Sequence, residues 1–229
     1  MPSYFRCLPT RLNAPTTNLS WMSRVRFASI SAMEPSHPSR PKFWDDRYVA
    51  GQTPWNFGGV PHRLQEYLRT HPNRGSVLIP GCGHGHEIQA FAEAGYRVTA
   101  VDFSRAAVEQ TRSRLGAPLN ERVLLGDFFH HDFADAPFDV VYERTFFCAI
   151  PPAQRPVYVQ RMAVLLKPGG ALVGLFFYGT AHGGPPYELN PADEPGLFRS
   201  HFVTVRDEPV ADSQPMFSGK ERWQERRRC

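Results

Sequence analysis

Cysteine is scarce in this chain: Cys7, Cys82, Cys148 and Cys229 are the only four in 229 residues. Thiols so few and so widely spaced build no disulfide scaffold, and no pair has zinc-finger spacing. No apolar run reaches 18 residues, which rules out a membrane-spanning helix in the sequence as given. Charge of one sign is also lacking once its placement is considered. Arg6, Arg11, Arg24 and Arg26 precede the first acid, Glu34; without these four, 22 of the 26 basic residues remain against 22 acidic ones. A body with no charge bias is not a general binder of polyanions, so no nucleic-acid partner is expected. The basic run Arg226-Arg227-Arg228 reads as a solvated tail.

Residues 1–32 are rich in Ser, Thr, Pro and Arg and hold no apolar core of the kind that marks a secretory signal. A transit-like leader and an over-extended start, with Met33 the true initiator, both fit this composition. Residues 1–39 are expected to be a disordered or dispensable leader, and 40–229 a single domain.

What is abundant is order of one kind: short apolar runs alternating with amphipathic ones. Ser76–Pro80, Tyr96–Val101, Val123–Leu125, Phe138–Tyr142 and Ala171–Tyr178 read as strands. Val60–Thr70, Glu87–Ala94, Ser104–Leu115 and Gln154–Leu165 read as helices between them, with Ser104 as an N-cap. Alternation of this type gives a mainly parallel sheet covered on both faces. After Gly179 the pattern changes: a short helix over Pro191–Phe198 is followed by two further strands, His201–Glu208 and Gly219–Arg226, which add an antiparallel edge. Ahead of the first strand, Lys42–Gly59 gathers Phe43, Trp44, Tyr48, Trp55 and Phe57, with a short helix through Trp44–Val49. That segment reads either as a plug at one end of the core or as a lid of flat rings over a ligand.

The chemical signal is Pro80-Gly81-Cys82-Gly83-His84-Gly85, a glycine-rich turn between the first strand and a helix. Small residues there let backbone approach a ligand closely. In open α/β sheets ligands bind beyond the carboxyl ends of the strands. Asp102 ends the next strand, and its carboxylate can accept hydrogen bonds from both ribose hydroxyls. Gly126-Asp127-Phe128 brings a second carboxylate to the same edge, suited to an adenine amino group or to capping a turn. No Lys-Ser/Thr pair follows the glycines, which excludes a P-loop, and the spacing departs from that of dinucleotide sites. A ligand with ribose and adenine but no pyrophosphate fits best. His84, His86, His130 and His131 lie near the same edge, but their spacing defines no metal centre, and no metal is expected. Cys148 reads as a buried structural thiol.

These stretches, together with Phe43-Trp44-Asp45-Asp46-Arg47-Tyr48, Gly51-Gln52-Thr53-Pro54-Trp55, Tyr142–Ile150, Leu166–Gly170 and Asp212–Trp223, resemble a class I S-adenosylmethionine-dependent methyltransferase, and within that group the thiopurine S-methyltransferase-like family with its halide and thiol methyltransferases. The resemblance covers roughly residues 40–228. It implies a Rossmann-like class I methyltransferase fold, a mainly parallel seven-stranded sheet with helices on both faces and an antiparallel C-terminal edge. It implies S-adenosyl-L-methionine as cofactor and S-adenosyl-L-homocysteine as product. By the same resemblance Trp44 and Trp55 close over the cofactor, Gly81, Gly83 and Gly85 border it, Asp102 holds its ribose, and Phe103, Asp127 and Phe128 frame its adenine. Glu143, with Arg144 and Thr145, lines its amino-acid end or the channel beside it, and Tyr142, Phe146 and Phe147 lie near the departing methyl.

For the acceptor pocket, Phe57, Phe177, Tyr178 and Tyr187 complete the expected wall. Rings of that size leave room for a small or flat acceptor: a small thiol or sulfide first, then a halide or another small oxygen or nitrogen nucleophile. A regulatory protein that binds S-adenosylmethionine without chemistry is the reading from a different class. A cytoplasmic protein, monomeric or weakly dimeric, is expected.

Overall fold

The computed structural model describes residues 37–72 and 75–229; of the expected leader 1–39, residues 1–36 lie outside the described residues. The chain runs α1 (Pro41–Val49), α2 (His62–Thr70), β1 (Ser76–Pro80), α3 (His86–Glu93), β2 (Arg97–Asp102), α4 (Arg105–Leu115), β3 (Val123–Leu125), β4 (Phe138–Arg144), α5 (Arg155–Leu165), β5 (Leu166–Phe177), α6 (Glu194–Phe198), β6 (Phe202–Pro209) and β7 (Glu221–Arg228). The seven strands form one sheet in the order β3-β2-β1-β4-β5-β7-β6. The first five are mutually parallel, whereas β7 is antiparallel to both β5 and β6. The expected fold class is the one observed, and the two late strands form its antiparallel edge, with β7 inserted inside β6.

Side-chain alternation explains why both faces are covered. Leu78, Val141 and Leu172 point to one face, where α5 and α6 supply Tyr158, Met162 and Phe198. Their neighbours Val77, Ile79, Val140 and Val173 point to the other, against Leu64 of α2 and Ile88 and Phe91 of α3. Strands buried on both faces read as continuous apolar runs, which is why β1 and β5 were legible. The helix starts follow local chemistry. Ser104 accepts the Ala107 amide at 3.2 Å and caps α4. Pro156 lies in the first turn of α5, where its missing N–H costs nothing.

Several boundaries differ from expectation. α1 begins at Pro41 and β4 runs on to Arg144. Arg226-Arg227-Arg228, expected as a solvated tail, are the end of β7, with Arg226 buried and paired to Glu194. β5 begins at Leu166, ahead of Ala171: Leu166 pairs with Phe138, and pairing resumes at Ala171 with Val140. Lys167 donates to Asp139 at 2.8 Å, and Asp139 also receives the Ser76 amide at 2.7 Å, so the Pro168-Gly169-Gly170 insertion is clamped within the sheet. The expected helix over Pro191–Phe198 is shorter because the Asn190 side chain accepts the Ala192 amide and closes a separate turn first.

After β1 the chain winds through β2 to β3 on one side, then returns to place β4 on the other side of β1. The carboxyl ends of β1 and β4 therefore diverge into a crevice, the position at which such sheets bind ligands.

Candidate functional site

A cavity of about 390 Å³ opens at that crevice. Its floor is the turn after β1. Gly81 and Gly83 have φ of 57° and 50°, a region that side chains enter at a cost of roughly 1–2 kcal/mol. Space forbids a side chain as well. A Cβ on Gly81 would lie 2.5 Å from the Phe146 ring, and one on Gly83 would lie 2.5 Å from the Tyr48 hydroxyl. Gly85 turns instead toward Thr111 and Ile88 and opens α3.

Asp102 stands at the end of β2 beside this turn. One carboxylate oxygen accepts the Gly83 amide at 2.9 Å, and the other accepts the Ser104 amide at 2.9 Å. Burial raises its pKa to about 6 against the pull of those amides, and the neighbouring Asp45 charge adds to the rise. The Phe103 amide also acts on the carboxylate, whose remaining lone-pair capacity can still receive a hydroxyl donor from a ligand.

Asp45 itself was legible only as part of the aromatic segment. It accepts the Ser104 hydroxyl at 2.7 Å and the Ala106 amide at 3.0 Å, placing a carboxylate at the N-terminus of α4 and tying α1 to it.

The cover comes from distant parts of the chain. Trp44 and Trp55 meet edge to face at 5.5 Å, and Trp55 directs its indole N–H to the Tyr48 hydroxyl at 3.4 Å. Two histidines fasten this segment to the floor. His84 pairs with Thr53 at 3.1 Å, and His86 pairs with Asn56 at 3.0 Å. Burial lowers the pKa of both rings, so they face their partners uncharged at neutral pH. The segment thus forms one wall of the cavity, its Trp44, Trp55 and Phe57 all lining the space.

Behind Phe57 lies Arg144, its guanidinium 4.8 Å from the ring centre and its Nη1 3.1 Å from Glu87. Both side chains of this ion pair are about nine-tenths enclosed, and both residues line the cavity. Glu87 was visible in the sequence only as the start of a helix, since nothing local announces a partner 57 residues away.

Of the other expected residues, Phe103, Asp127, Phe128, Tyr142 and Phe146 line the cavity. The Asp127 side chain also closes its own turn, accepting the Phe129 amide at 2.9 Å and pairing with His130 at 2.8 Å. Tyr142 is 1% exposed, and its hydroxyl has no hydrogen-bond partner among the described residues.

Five expectations need correction. Glu143, Phe147, Phe177, Tyr178 and Tyr187 are absent from the cavity wall. Glu143 is fully enclosed, with its carboxylate turned to the amides of Phe146 and Phe147 and to Tyr158. Alternation along the strands explains two more: Phe177 packs edge to face on Phe217 at 5.1 Å, while Tyr178 donates to Gln224 at 2.9 Å. Phe147 packs on Tyr158 and Phe176 in the core. Tyr187 engages through its backbone, donating to the Cys148 carbonyl at 2.6 Å, and leaves Pro185 and Pro186 to face the cavity. Met216 and Phe217 also line it; the sequence marked them only as part of the Asp212–Trp223 stretch, with no role assigned.

Among the described residues no cluster of His, Cys, Asp or Glu could hold a metal ion, and no helix is long and apolar enough to cross a membrane.

The chain is 38% identical over 156 residues to probable thiol methyltransferase 2 of Arabidopsis thaliana, covering 66% of this chain and 68% of that one. It is 32% identical over 186 residues to thiocyanate methyltransferase 1 of the same plant, covering 78% and 81%. Among solved structures, 1,6-didemethyltoxoflavin-N1-methyltransferase of Burkholderia thailandensis, with 1,6-didemethyltoxoflavin and S-adenosylhomocysteine bound, superposes with a TM-score of 0.68 at 22% identity, over 85% of this chain and 92% of the other. That identity level speaks for the fold alone. The family model of thiopurine S-methyltransferase matches residues 39–226, from just before α1 to within β7, and the chain belongs to that family.

Proposed function

We propose that the protein transfers the methyl group of S-adenosylmethionine to a small thiol or sulfide. Membership of a family of S-adenosylmethionine-dependent methyltransferases of small molecules supports the coarse activity. The observation that carries the finer reading is the cavity itself. It sets a glycine floor and a buried carboxylate at one side and an apolar, ring-lined wall with one enclosed ion pair at the other. At about 390 Å³ it lies near the low end of the roughly 300–1,000 Å³ typical of ligand pockets. A nucleoside cofactor fills most of that, and a small acceptor takes the rest.

The residues fit the cofactor. Asp102 retains lone pairs for ribose hydroxyls, the Gly81–Gly83 backbone offers a surface that any Cβ would block, and Phe103 and Phe128 supply flat apolar walls for adenine. When bound, S-adenosylmethionine supplies a methyl group on a positively charged sulfur, passed to a nucleophile by in-line displacement.

The chain's own work is binding, alignment and exclusion of water. Trp44, Trp55 and Phe57 cover the space, and Phe146 narrows it, which strips water from an anionic nucleophile. Alignment at roughly 3–3.5 Å then supplies much of the rate. A thiol has a pKa of about 8.5, so a useful thiolate fraction exists near neutrality and little base assistance is required. Neither cavity cysteine competes as a nucleophile, since burial pushes both the Cys82 and the Cys148 thiols well up.

The name of the thiocyanate methyltransferase relative favours one second reading, a small preformed anion as acceptor. A labelled-methyl assay over small thiols, sulfide, thiocyanate, halides and phenols, with product identification, separates the two. Methylation of thiols or sulfide at least tenfold above the other acceptors supports the proposal. Preferred methylation of thiocyanate, a halide or an oxygen acceptor, or cofactor binding with no turnover on any of them, overturns it.

A further inference from the structure

We propose that Glu143 is a positioning residue whose carboxylate holds the turn after β4 in the conformation that brings Phe146 to the cavity wall. The inference rests on the reading of the cavity as a cofactor site given above.

Glu143 is completely enclosed and contributes nothing to the cavity lining. One carboxylate oxygen accepts two successive backbone amides, Phe146 at 2.9 Å and Phe147 at 2.8 Å. The other accepts the Tyr158 hydroxyl at 2.6 Å. Two neighbouring amides reach one oxygen only when the chain folds back sharply on itself. The residue that makes this fold is Thr145, at a φ of 60°, the sole non-glycine residue with positive φ among the described residues. A β-branched side chain is poorly suited to that region and persists there only where its surroundings impose it. The three hydrogen bonds to Glu143 are the local contacts that impose it.

The consequence is felt at the floor. The turn lays the Phe146 ring over Gly81, with ring carbons 2.5–2.8 Å from the point a Cβ would occupy, and edge-on to Phe128 at 5.3 Å. Thr145 and Phe146 both line the cavity. The chain of cause therefore runs from a buried carboxylate that never meets the ligand, through a left-handed threonine, to a ring that shapes the ligand's space. The charge of the buried Arg226 guanidinium favours the ionised carboxylate as well.

The test uses the full chain, calorimetric titration with S-adenosylhomocysteine and thermal unfolding. The variants are Glu143→Gln, Thr145→Gly and the two together. Glutamine keeps one acceptor for the two amides but loses the charge that strengthens them, and roughly tenfold weaker binding is expected in the threonine background. Glycine takes a positive φ without help, so in the Thr145→Gly background the same change is expected to cost no more than about twofold. If Glu143→Gln does not fold, Tyr158→Phe, which removes one of the three bonds, enters the same comparison with a smaller loss that Thr145→Gly again erases. Equal losses in both backgrounds, or no loss with threonine present, overturn the positioning role while leaving the cofactor reading intact. A wild-type chain that does not bind S-adenosylhomocysteine overturns both.

Discussion

The floor and the cover of the cavity are built in opposite ways. The floor comes from one short stretch, β1 through β2, and its shape is set by backbone: glycine φ values, two amides on Asp102, and the strand ends that diverge at the switch point. The cover is assembled from at least four stretches distant in sequence, among them Trp44–Phe57, Thr145–Ile150, Pro185–Pro186 and Met216–Phe217, and it is held by side chains. Backbone geometry tolerates little change, whereas a set of packed side chains can lose one member and re-form. Substitutions in the floor should therefore be severe, and those in the cover graded.

The largest effect is expected at Asp102. In the proposed cofactor site Asp102→Ala removes the acceptor for two ribose hydroxyls, at about 1.5 kcal/mol or more each, so S-adenosylhomocysteine should bind about 100-fold more weakly by calorimetry. A loss under fivefold would break the contrast. Gly83→Ala comes next. It meets both the positive φ and the Tyr48 hydroxyl, and about tenfold weaker binding together with a lower Tm is expected. In the cover, Trp55→Ala should weaken cofactor binding about three- to tenfold with Tm nearly unchanged, because the ring is only half-buried. His84→Ala should cost least, about twofold in affinity, since it removes one neutral hydrogen bond of the cover.

The pH dependence sharpens the same comparison. Burial raises Asp102 to about 6 and Glu143 to about 7. The folded state thus holds these protons where the unfolded chain has released them. Stability of the ligand-free protein should fall as pH rises from about 4 toward 7, and the cost is fully present above the folded pKa values. Ribose hydroxyls favour ionised Asp102, so cofactor affinity should rise over the same range. Asp102→Asn should flatten the rise in affinity and leave only the Glu143 part of the stability slope. Thermal scans and calorimetry between pH 5 and pH 8 read both trends.

The floor was legible in the sequence and much of the cover was not. Ser76–Pro80 and Val123–Leu125 have the ends expected of them, and the glycine turn and Asp102 stand where the spacing put them. Those features follow from short-range rules: apolar runs, an N-cap at Ser104, glycine where φ is positive. The aromatic segment was recognisable by its composition, but composition does not record that His84 and His86 pair with Thr53 and Asn56 and fasten it beside the glycine turn. At the ends of β4 and β5 the tally of aromatic residues misled. Alternation and the sharp turn at Thr145 decide which ring faces inward, so Phe146 lines the cavity while Phe147, Phe177 and Tyr178 do not.

By itself the sequence determined the doubly covered parallel sheet, the glycine turn and the acid at the end of β2, because each depends on residues within a few positions of one another. Only the tertiary structure decided that Glu87 meets Arg144, that Asp45 caps α4, and that Glu143 turns away from the ligand space to hold the loop beside it. Those pairings join residues brought near by the packing of separate elements, and charge and hydrogen-bonding partners are chosen by distance in space, which the order of residues along the chain does not record.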